Sequence, residues 1–218
     1  RLDAIVLTIS KPGDFLFQMS IESAMKNLND ISTFYIITNE PILLRKYYNP
    51  IWGTEKVKFI DEDIFEYSYS SFATIYQKSL INQNITLKIL KRAEKIFRDK
   101  YTWYLQQIIK LTAGDVLGLN DYLVLDSDLI WNKQRNLLKQ KRKYNKNGIL
   151  ITLPIYNYAY SNKYNKDYIS SGNLLLDMKP DIVYASGVVY HMVFIKEVIE
   201  NMKILIEKRF KSTFINAI

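Results

Sequence analysis

The sequence of 218 residues contains no cysteine and a single histidine, His191. The absence of cysteine excludes disulfide bonds and metal sites that are built from thiolates. One histidine also excludes a zinc site whose ligands are mainly imidazoles. The lack of cysteine slightly favours a reducing compartment, and we therefore expect a cytoplasmic location.

Long hydrophobic runs are absent as well, since no apolar run approaches the ~18 residues of a transmembrane span. The chain has seven glycines and 17 tyrosines, and this composition argues against disorder and low complexity. With 48% hydrophobic and 14% aromatic residues it can bury a substantial core, so we expect one domain over residues 1–218. The chain begins at Arg1 rather than methionine, which leaves open a longer parent protein with a lumenal or membrane-anchored location.

The net charge is +8, from 30 basic and 22 acidic residues. Such a charge suits nucleic acid, an anionic membrane surface or phosphorylated small molecules. The densest basic run, KQKRKYNK at 139–146, ends at the turn signal Asn147-Gly148. We interpret this run as a solvated loop, with polyanion binding as the alternative.

Short apolar runs alternate with amphipathic segments along the chain. The βαβα order of the first half predicts a mainly parallel sheet with helices on both faces. The predicted strands are DAIVLTI (3–9), FYIITN (34–39), VKFI (57–60), YLVLD (122–126), GILITL (148–153) and SGNLLLDM (171–178), with a further strand region at 182–194. The predicted helices follow an Asp14 cap, begin at Pro41, and cover 77–113 and 196–211.

The segment TWYLQQIIKLTAG at 102–114 has two distinct helical faces. At about 100° per residue, an indole, two amides and an ammonium share one face, and three aliphatic residues share the other. The first face consists of Trp103, Gln106, Gln107 and Lys110, and the second of Leu105, Ile108 and Ile109. An ordinary exposed helix face is the alternative, although an exposed tryptophan is costly.

Two carboxylates, Asp126 and Asp128, interrupt the apolar stretch YLVLDSDLIW. Like charges this close repel each other, and burying an unpartnered carboxylate costs several kcal/mol or raises its pKa. A hard cation at the carboxyl end of a strand would compensate both charges, and Mg²⁺ and Mn²⁺ prefer such oxygen ligands.

In this context LVLDSDLIW resembles the metal-binding Asp-x-Asp strand of GT-A-fold nucleotide-sugar glycosyltransferases. AIVLTIS resembles their first nucleotide-binding strand, and ISSGNLLLD is similar to the strand that lies near the donor sugar. FIDEDIF and WYLQQIIKL resemble a bacterial and viral branch that has a Trp-Tyr-Leu-Gln-Gln helix. YHMVF matches the position of a late metal-binding histidine. The resemblance covers roughly residues 3–195 and implies a single GT-A-like (Rossmann-like) domain with a mixed, mainly parallel sheet.

The resemblance implies transfer of a sugar from a nucleoside diphosphate sugar, with UDP-sugars first among the candidates, to a glycan or protein acceptor. Mn²⁺ or Mg²⁺ would be held by Asp126, Asp128 and His191, and Asp128 would belong to the catalytic centre. Asp167 is a candidate base or acceptor contact. The implied donor-binding residues are Thr8, Ser10, Asn39, Gln106, Gln107, Lys110 and Gly172.

Each of these residues also has a simpler interpretation. His191 would be a core histidine in many proteins, Lys110 could extend its stem along a buried helix, and Asp167 could lie in a solvated loop. Ser171-Gly172 could be a turn before a strand. The acidic run at 61–63 is interpreted as a solvated strand end rather than as a second metal site.

Two other functions compete with the glycosyltransferase. A haloacid-dehalogenase-type phosphatase also has an apolar strand that ends in Asp-x-Asp, but its motif normally lies near the N-terminus and not at residue 126. A non-catalytic module that binds a nucleotide or a glycan is the second alternative. Nucleic acid is not an expected partner, because carboxylates repel phosphate unless a metal intervenes.

Overall fold

The computed structural model describes residues 1–66, 68, 102–103, 105–137, 140–144, 150–154 and 191–214. Within these residues the chain forms seven strands and four helices, together with a 3-10 turn at Glu62–Ile64. In chain order they are β1 (Leu2–Leu7), α1 (Phe15–Asn27), β2 (Ile31–Thr38), α2 (Pro41–Trp52), β3 (Val57–Asp61), α3 (105–117), β4 (Tyr122–Asp126), β5 (Gln140–Tyr144), β6 (Leu150–Pro154), β7 (His191–Phe194) and α4 (Lys196–Phe210).

The main sheet has the strand order β3-β2-β1-β4-β7. The first four strands are parallel to their neighbours, and β7 runs antiparallel to β4. The prediction of an α/β fold with a mixed, mainly parallel sheet is therefore confirmed. The extent of the domain, 1–218, stays a prediction.

The central strand β1 is buried on both of its faces. Ala4, Ile5 and Val6 are consecutive in sequence, and each has no exposed surface. Strands that are covered on both sides have continuous apolar runs instead of alternating ones, because each side chain meets a helix layer. Burial on both faces thus explains the continuous apolar run in DAIVLTI, which was predicted to be a strand.

Helices α1 and α2 cover one face of this sheet. Asp14 begins α1, because its Oδ1 accepts hydrogen bonds from the backbone N–H groups of Leu16 and Phe17, each at 3.1 Å. The bond from Phe17 lowers the pKa of the Asp14 carboxyl below its ordinary value. Phe17 then packs edge-on against Tyr48 of α2, with ring centroids 5.6 Å apart.

Helix α3 covers the opposite face with Leu105, Ile109 and Ala113, which confirms the prediction of helices on both faces. Its predicted polar face is confirmed too. Trp103, which is also helical, is 44% exposed. Gln106, Gln107 and Lys110 are partly exposed. Tyr122 begins β4, at the end remote from Asp126. Its buried hydroxyl donates to the Lys110 carbonyl at 2.7 Å, and burial raises the pKa of this hydroxyl.

The basic run at 139–146 was wrongly predicted as a loop. Its residues Gln140–Tyr144 form β5, which pairs antiparallel with β6. Cross-strand hydrogen bonds satisfy the backbone of a hairpin whatever charges its side chains carry, so the basic composition misled the prediction. The predicted strand at 171–178 and the predicted helical residues 77–101 lie outside the described residues.

No helix in the described part of the chain is long and apolar enough to cross a membrane.

Candidate functional site

The carboxyl ends of β1, β2 and β4 lie side by side at one edge of the sheet. Leu7 of β1 is in register with Ile37 on one side and with Asp126 on the other. The strand order also reverses at β1, because β2 and β3 lie to one side of it and β4 lies to the other. In open α/β sheets ligands bind in the crevice outside such a reversal, so this edge is the candidate site.

Two buried threonines lie at this edge: Thr8 directly follows β1, and Thr38 is the last residue of β2. Thr8 Oγ1 accepts from the Ser10 N–H at 3.0 Å, and Thr38 Oγ1 accepts from the Glu40 N–H at 3.2 Å. Each hydrogen bond joins a threonine side chain to the backbone two residues later and so closes a tight turn directly after the strand. Thr8, Ser10 and the exposed Asn39, which were predicted to bind the nucleoside, are therefore at the same edge as Asp126.

The Asp-x-Asp motif forms a turn at the end of β4. Asp126 is the last residue of the strand, and its carbonyl accepts from the Leu129 N–H at 3.4 Å. Asp128 lies inside this turn and is exposed. Asp126 is partly exposed and Asp128 is exposed, so neither carboxylate lies in the core.

Lys110 compensates the charge of Asp126. Its Nζ donates to Asp126 Oδ1 at 3.0 Å, and the two side chains are 12% and 35% exposed. Helix α3 therefore brings the ammonium to the same edge of the sheet from the face that it covers. Gln106 and Gln107, one turn earlier in α3, are partly buried on the same helix.

A polar side of α1 holds the segment that follows the two aspartates. Ser20 Oγ donates to the Leu129 carbonyl at 2.9 Å, and Ser23 Oγ accepts from the Trp131 N–H at 3.0 Å. Asn27 Nδ2 donates to the Trp131 carbonyl at 2.5 Å. Sequence reasoning missed these residues, although their spacing of three and four places them on one side of a predicted helix.

His191 is the first residue of β7 and is in register with Leu125, next to Asp126 along β4. Its backbone therefore lies at the candidate edge, while its side chain is outside what the structure describes. Among the described side chains, no group of three or more acidic, histidine or cysteine residues is arranged to hold a metal. Asp126 and Asp128 nevertheless fit Mg²⁺ or Mn²⁺, which bind one or two carboxylates and fill their remaining positions with water and phosphate oxygens.

The acidic run at 61–63 agrees with the interpretation as a solvated strand end. Asp61 is exposed, and its Oδ1 accepts from the Asp63 N–H at 3.0 Å, which caps the 3-10 turn. Asp167 and Gly172, the other two predicted site residues, lie outside the described residues, and their roles stay predictions.

The fold is an α/β fold with a mixed, mostly parallel sheet, and the candidate ligand site lies at the reversal point of that sheet. The chain belongs to a family of unknown function (DUF6492), whose model matches residues 14–216. No curated protein matches it. Among solved structures it is distantly similar to "PaToxG Glycosyltransferase", at 13% identity and a TM-score of 0.34, over 97% of this chain and 79% of the other. A likeness of this size supports no argument by itself.

Proposed function

We propose that this protein is a metal-dependent glycosyltransferase that moves a sugar from a nucleoside diphosphate sugar to a glycan or protein acceptor. The observation that carries the proposal is the Asp126–Leu129 turn at the reversal point between β1 and β4, with the Lys110 ammonium 3.0 Å from Asp126. This crevice is where open α/β sheets bind nucleotides.

The charges at this edge suit a diphosphate once a divalent cation is bound. Without a metal, two carboxylates and one ammonium leave one negative charge, which repels phosphate. A divalent cation would change this to one positive charge and would offer coordination positions to phosphate oxygens. The site would then bind donor and metal together, and each would strengthen the binding of the other.

In this proposal Asp126 and Asp128 hold Mn²⁺ or Mg²⁺, and His191 is a third ligand. When bound, the metal neutralises the charge that develops on the diphosphate as the sugar leaves. Thr8, Ser10 and Asn39 line the nucleoside pocket. Gln106, Gln107 and Gly172 contact the donor, and Asp167 serves as base or acceptor contact.

Lys110 would have two successive partners. In the free protein its ammonium neutralises part of the charge of Asp126 and keeps that carboxylate in one orientation. With a metal bound at Asp126, the Lys110 ammonium would be free to donate to the diphosphate, which carries a larger negative charge than one carboxylate. The ion pair thus prepares both groups for the donor.

Isothermal titration calorimetry with a panel of nucleoside diphosphate sugars, with and without Mn²⁺, tests the proposal. We expect Mn²⁺-dependent binding of one donor, and Asp126→Asn or Asp128→Asn should weaken it at least ~10-fold, because the loss of a residue that only supports a metal ligand already costs ~10-fold to 100-fold. Asp115→Asn is the matched control, since Asp115 is an exposed, lysine-paired carboxylate outside the site.

Turnover distinguishes an enzyme from a binding module of the same fold. Release of the nucleoside diphosphate in the presence of donor and Mn²⁺ supports a transferase, with water or an added glycan as acceptor. Tight Mn²⁺-dependent donor binding without any release would instead support the non-catalytic module. Donor binding that is equal in the wild type and in both asparagine variants would overturn the proposed site.

A further inference from the structure

An exposed indole lies on the same helix face as the lysine of the candidate site. Trp103 is helical and 44% exposed. The seven residues from Trp103 to Lys110 turn through about 700°, which places both side chains on almost the same side of the helix. Gln106 and Gln107, both partly exposed, lie between them along the helix axis. We call these four residues the indole strip.

The indole strip leads outward from the sheet, because α3 runs antiparallel to β4. The last part of α3 lies at the start of β4, since a Cβ on Gly114 would stand 2.7 Å from Cε1 of Tyr122. Earlier in α3, the Lys110 ammonium reaches Asp126 at the end of β4. Trp103 lies a further ~10 Å along the axis, and helix side chains lean toward the N-terminus. Its indole is therefore beyond the strand end, on the solvent side of the ion pair.

The chemistry of the strip suits a neutral ligand that has hydroxyl groups and an apolar face. The sequence between Trp103 and Lys110 contains no charged residue, so the strip itself favours neither a polyanion nor a polycation. An indole offers a broad face of negative partial charge, on which the C–H bonds of a pyranose ring can pack. The amides of Gln106 and Gln107 can both donate and accept, as sugar hydroxyls require.

We propose that Trp103 stacks on a pyranose ring of the acceptor, which makes the acceptor a glycan and not a bare polypeptide. The inference rests on the proposed function, since it takes the inner end of the strip as part of the donor site. An acceptor hydroxyl has to approach the donor sugar from outside that site. A sugar ring on the indole would lie at this outer position.

Two other ligands fit the strip less well. A nucleobase also stacks on aromatic side chains, but the proposed nucleoside pocket is at the ends of β1 and β2, whereas the strip leads to Asp126 at the end of β4. A protein surface needs an interface of about 800 Å² on each partner. One indole and two amides match the size of a sugar ring and not of such an interface.

Saturation-transfer-difference NMR of the whole chain with methyl pyranosides tests the inference. The probes are the methyl glycosides of glucose, galactose, mannose, fucose and N-acetylglucosamine, each with and without Mn²⁺ and UDP. We expect at least one to bind, with saturation of its ring C–H protons. Trp103→Leu keeps an apolar side chain without an aromatic face and should weaken this binding about 10-fold, whereas Trp103→Phe should weaken it about threefold at most.

Phe210→Leu in α4 is the matched control, because Phe210 is also an exposed aromatic residue, at 45%. This variant should bind the pyranoside and the donor as the wild type does. Circular dichroism melts should show that each variant is folded. The Mn²⁺-dependent affinity for the nucleoside diphosphate sugar is measured calorimetrically on the same samples.

The two affinities separate the inference from the proposed function. Weaker pyranoside binding with unchanged donor affinity in Trp103→Leu supports the inference. Equal weakening of donor binding overturns it and assigns the indole to the nucleobase. Wild type that binds the donor but no pyranoside, or a pyranoside that binds Trp103→Leu equally well, overturns it and leaves the proposed function standing. Pyranoside binding that depends on Trp103, without any donor binding, supports the sugar surface and refutes the transferase.

Discussion

At the scale of single residues, Lys110 and Asp126 are the pair on which the proposed site depends. Lys110 is nearly buried, at 12% side-chain exposure, while Asp126 keeps 35%. Packing therefore holds the stem of Lys110 in place, and the carboxylate retains access to water and to other cations. In the proposed function a metal would bind Asp126, and the Lys110 ammonium would turn toward the diphosphate while its stem stays packed.

Replacing Lys110 by methionine keeps most of its packed stem and removes the charge. We expect Lys110→Met to weaken the Mn²⁺-dependent affinity for the nucleoside diphosphate sugar about 10-fold, because a charge-assisted hydrogen bond to phosphate is lost. The free energy of unfolding should fall by less than about 1 kcal/mol, since Asp126 regains water. Calorimetric titration and urea melts measure the two quantities.

Lys203→Met is the matched control for this prediction. Lys203 is 16% exposed and also forms an ion pair, with Asp115. The Lys203→Met variant should show the same general loss of stability from removing a nearly buried lysine, and its donor affinity should not change. Equal donor affinity in Lys110→Met and wild type would show that the ammonium serves the structure alone.

The sequence indicated both of these residues, but not that they contact each other. Asp126 was predicted from a polar interruption in an apolar strand, and Lys110 from a polar helix face. Their contact depends on the position of α3 along the direction of β4. That position is set by how the side chains of α3 pack on the sheet. No periodicity in the sequence encodes it.

At the scale of elements, α1 has three different sides. One side packs on the sheet through residues such as Phe17 and Ile21, and a second side, with Glu22 and Lys26, is exposed. The third side carries Ser20 and Ser23, which bind the backbone of the segment after β4. The helix thus fixes the direction in which the chain leaves the Asp-x-Asp turn.

Ser23→Ala should loosen this segment. The Trp131 N–H loses its acceptor at 3.0 Å, and we expect the free energy of unfolding to fall by about 1 kcal/mol. Donor affinity should fall about threefold to tenfold, because Asp128 then occupies a wider range of positions. Urea melts and calorimetric titration measure both effects.

Ser32→Ala provides the comparison, since Ser32 also makes two hydrogen bonds, to the Leu2 carbonyl and to Asp3. Leu2 and Asp3 begin β1, at the edge opposite to the candidate site. A similar loss of stability without a change in donor affinity is expected there. If both serine variants lost affinity equally, the effect of Ser23 would be general and not specific to the turn.

The main strands and helices were predicted well because each has its own local signal. Asp14 capped its helix as expected, and Pro41 begins α2. Of the two strands β5 and β6, only β6 was predicted. Strand β5 (Gln140–Tyr144) was missed because its conformation is determined by its pairing with β6 and not by its composition. The hydrogen bonds of Ser20 and Ser23 were missed for the same reason, since their partners lie more than one hundred residues away.

At the scale of the whole molecule, burial is distributed unevenly among the helices. Helix α4 has 15 residues and buries Ile206 alone, whereas α1 has 13 residues and buries Phe17, Ser20, Ile21 and Ala24. Few buried contacts lower the free energy of local opening. Stability should therefore decrease from the central strands toward α4.

Hydrogen exchange followed by mass spectrometry tests this gradient. We expect amides of α4 to exchange at least about tenfold faster than those of α1 under the same conditions. The centre of β1 should exchange slowest, because Ala4, Ile5 and Val6 are fully buried and paired on both sides. Equal protection in α4 and β1 would mean that the chain opens as a single unit.

The two sides of β1 are completed at very different times during synthesis. Ala4 pairs with Phe34 on one side and with Leu123 on the other, so its partners are 30 and 119 residues away along the chain. A nascent chain on the ribosome can form the first ladder early, but the crevice wall from β4 does not exist until residue 126 has emerged. Until then the ends of β1 and β2 stand without the two aspartates, so a chain that terminates before residue 126 lacks the Asp-x-Asp turn and the Lys110–Asp126 ion pair.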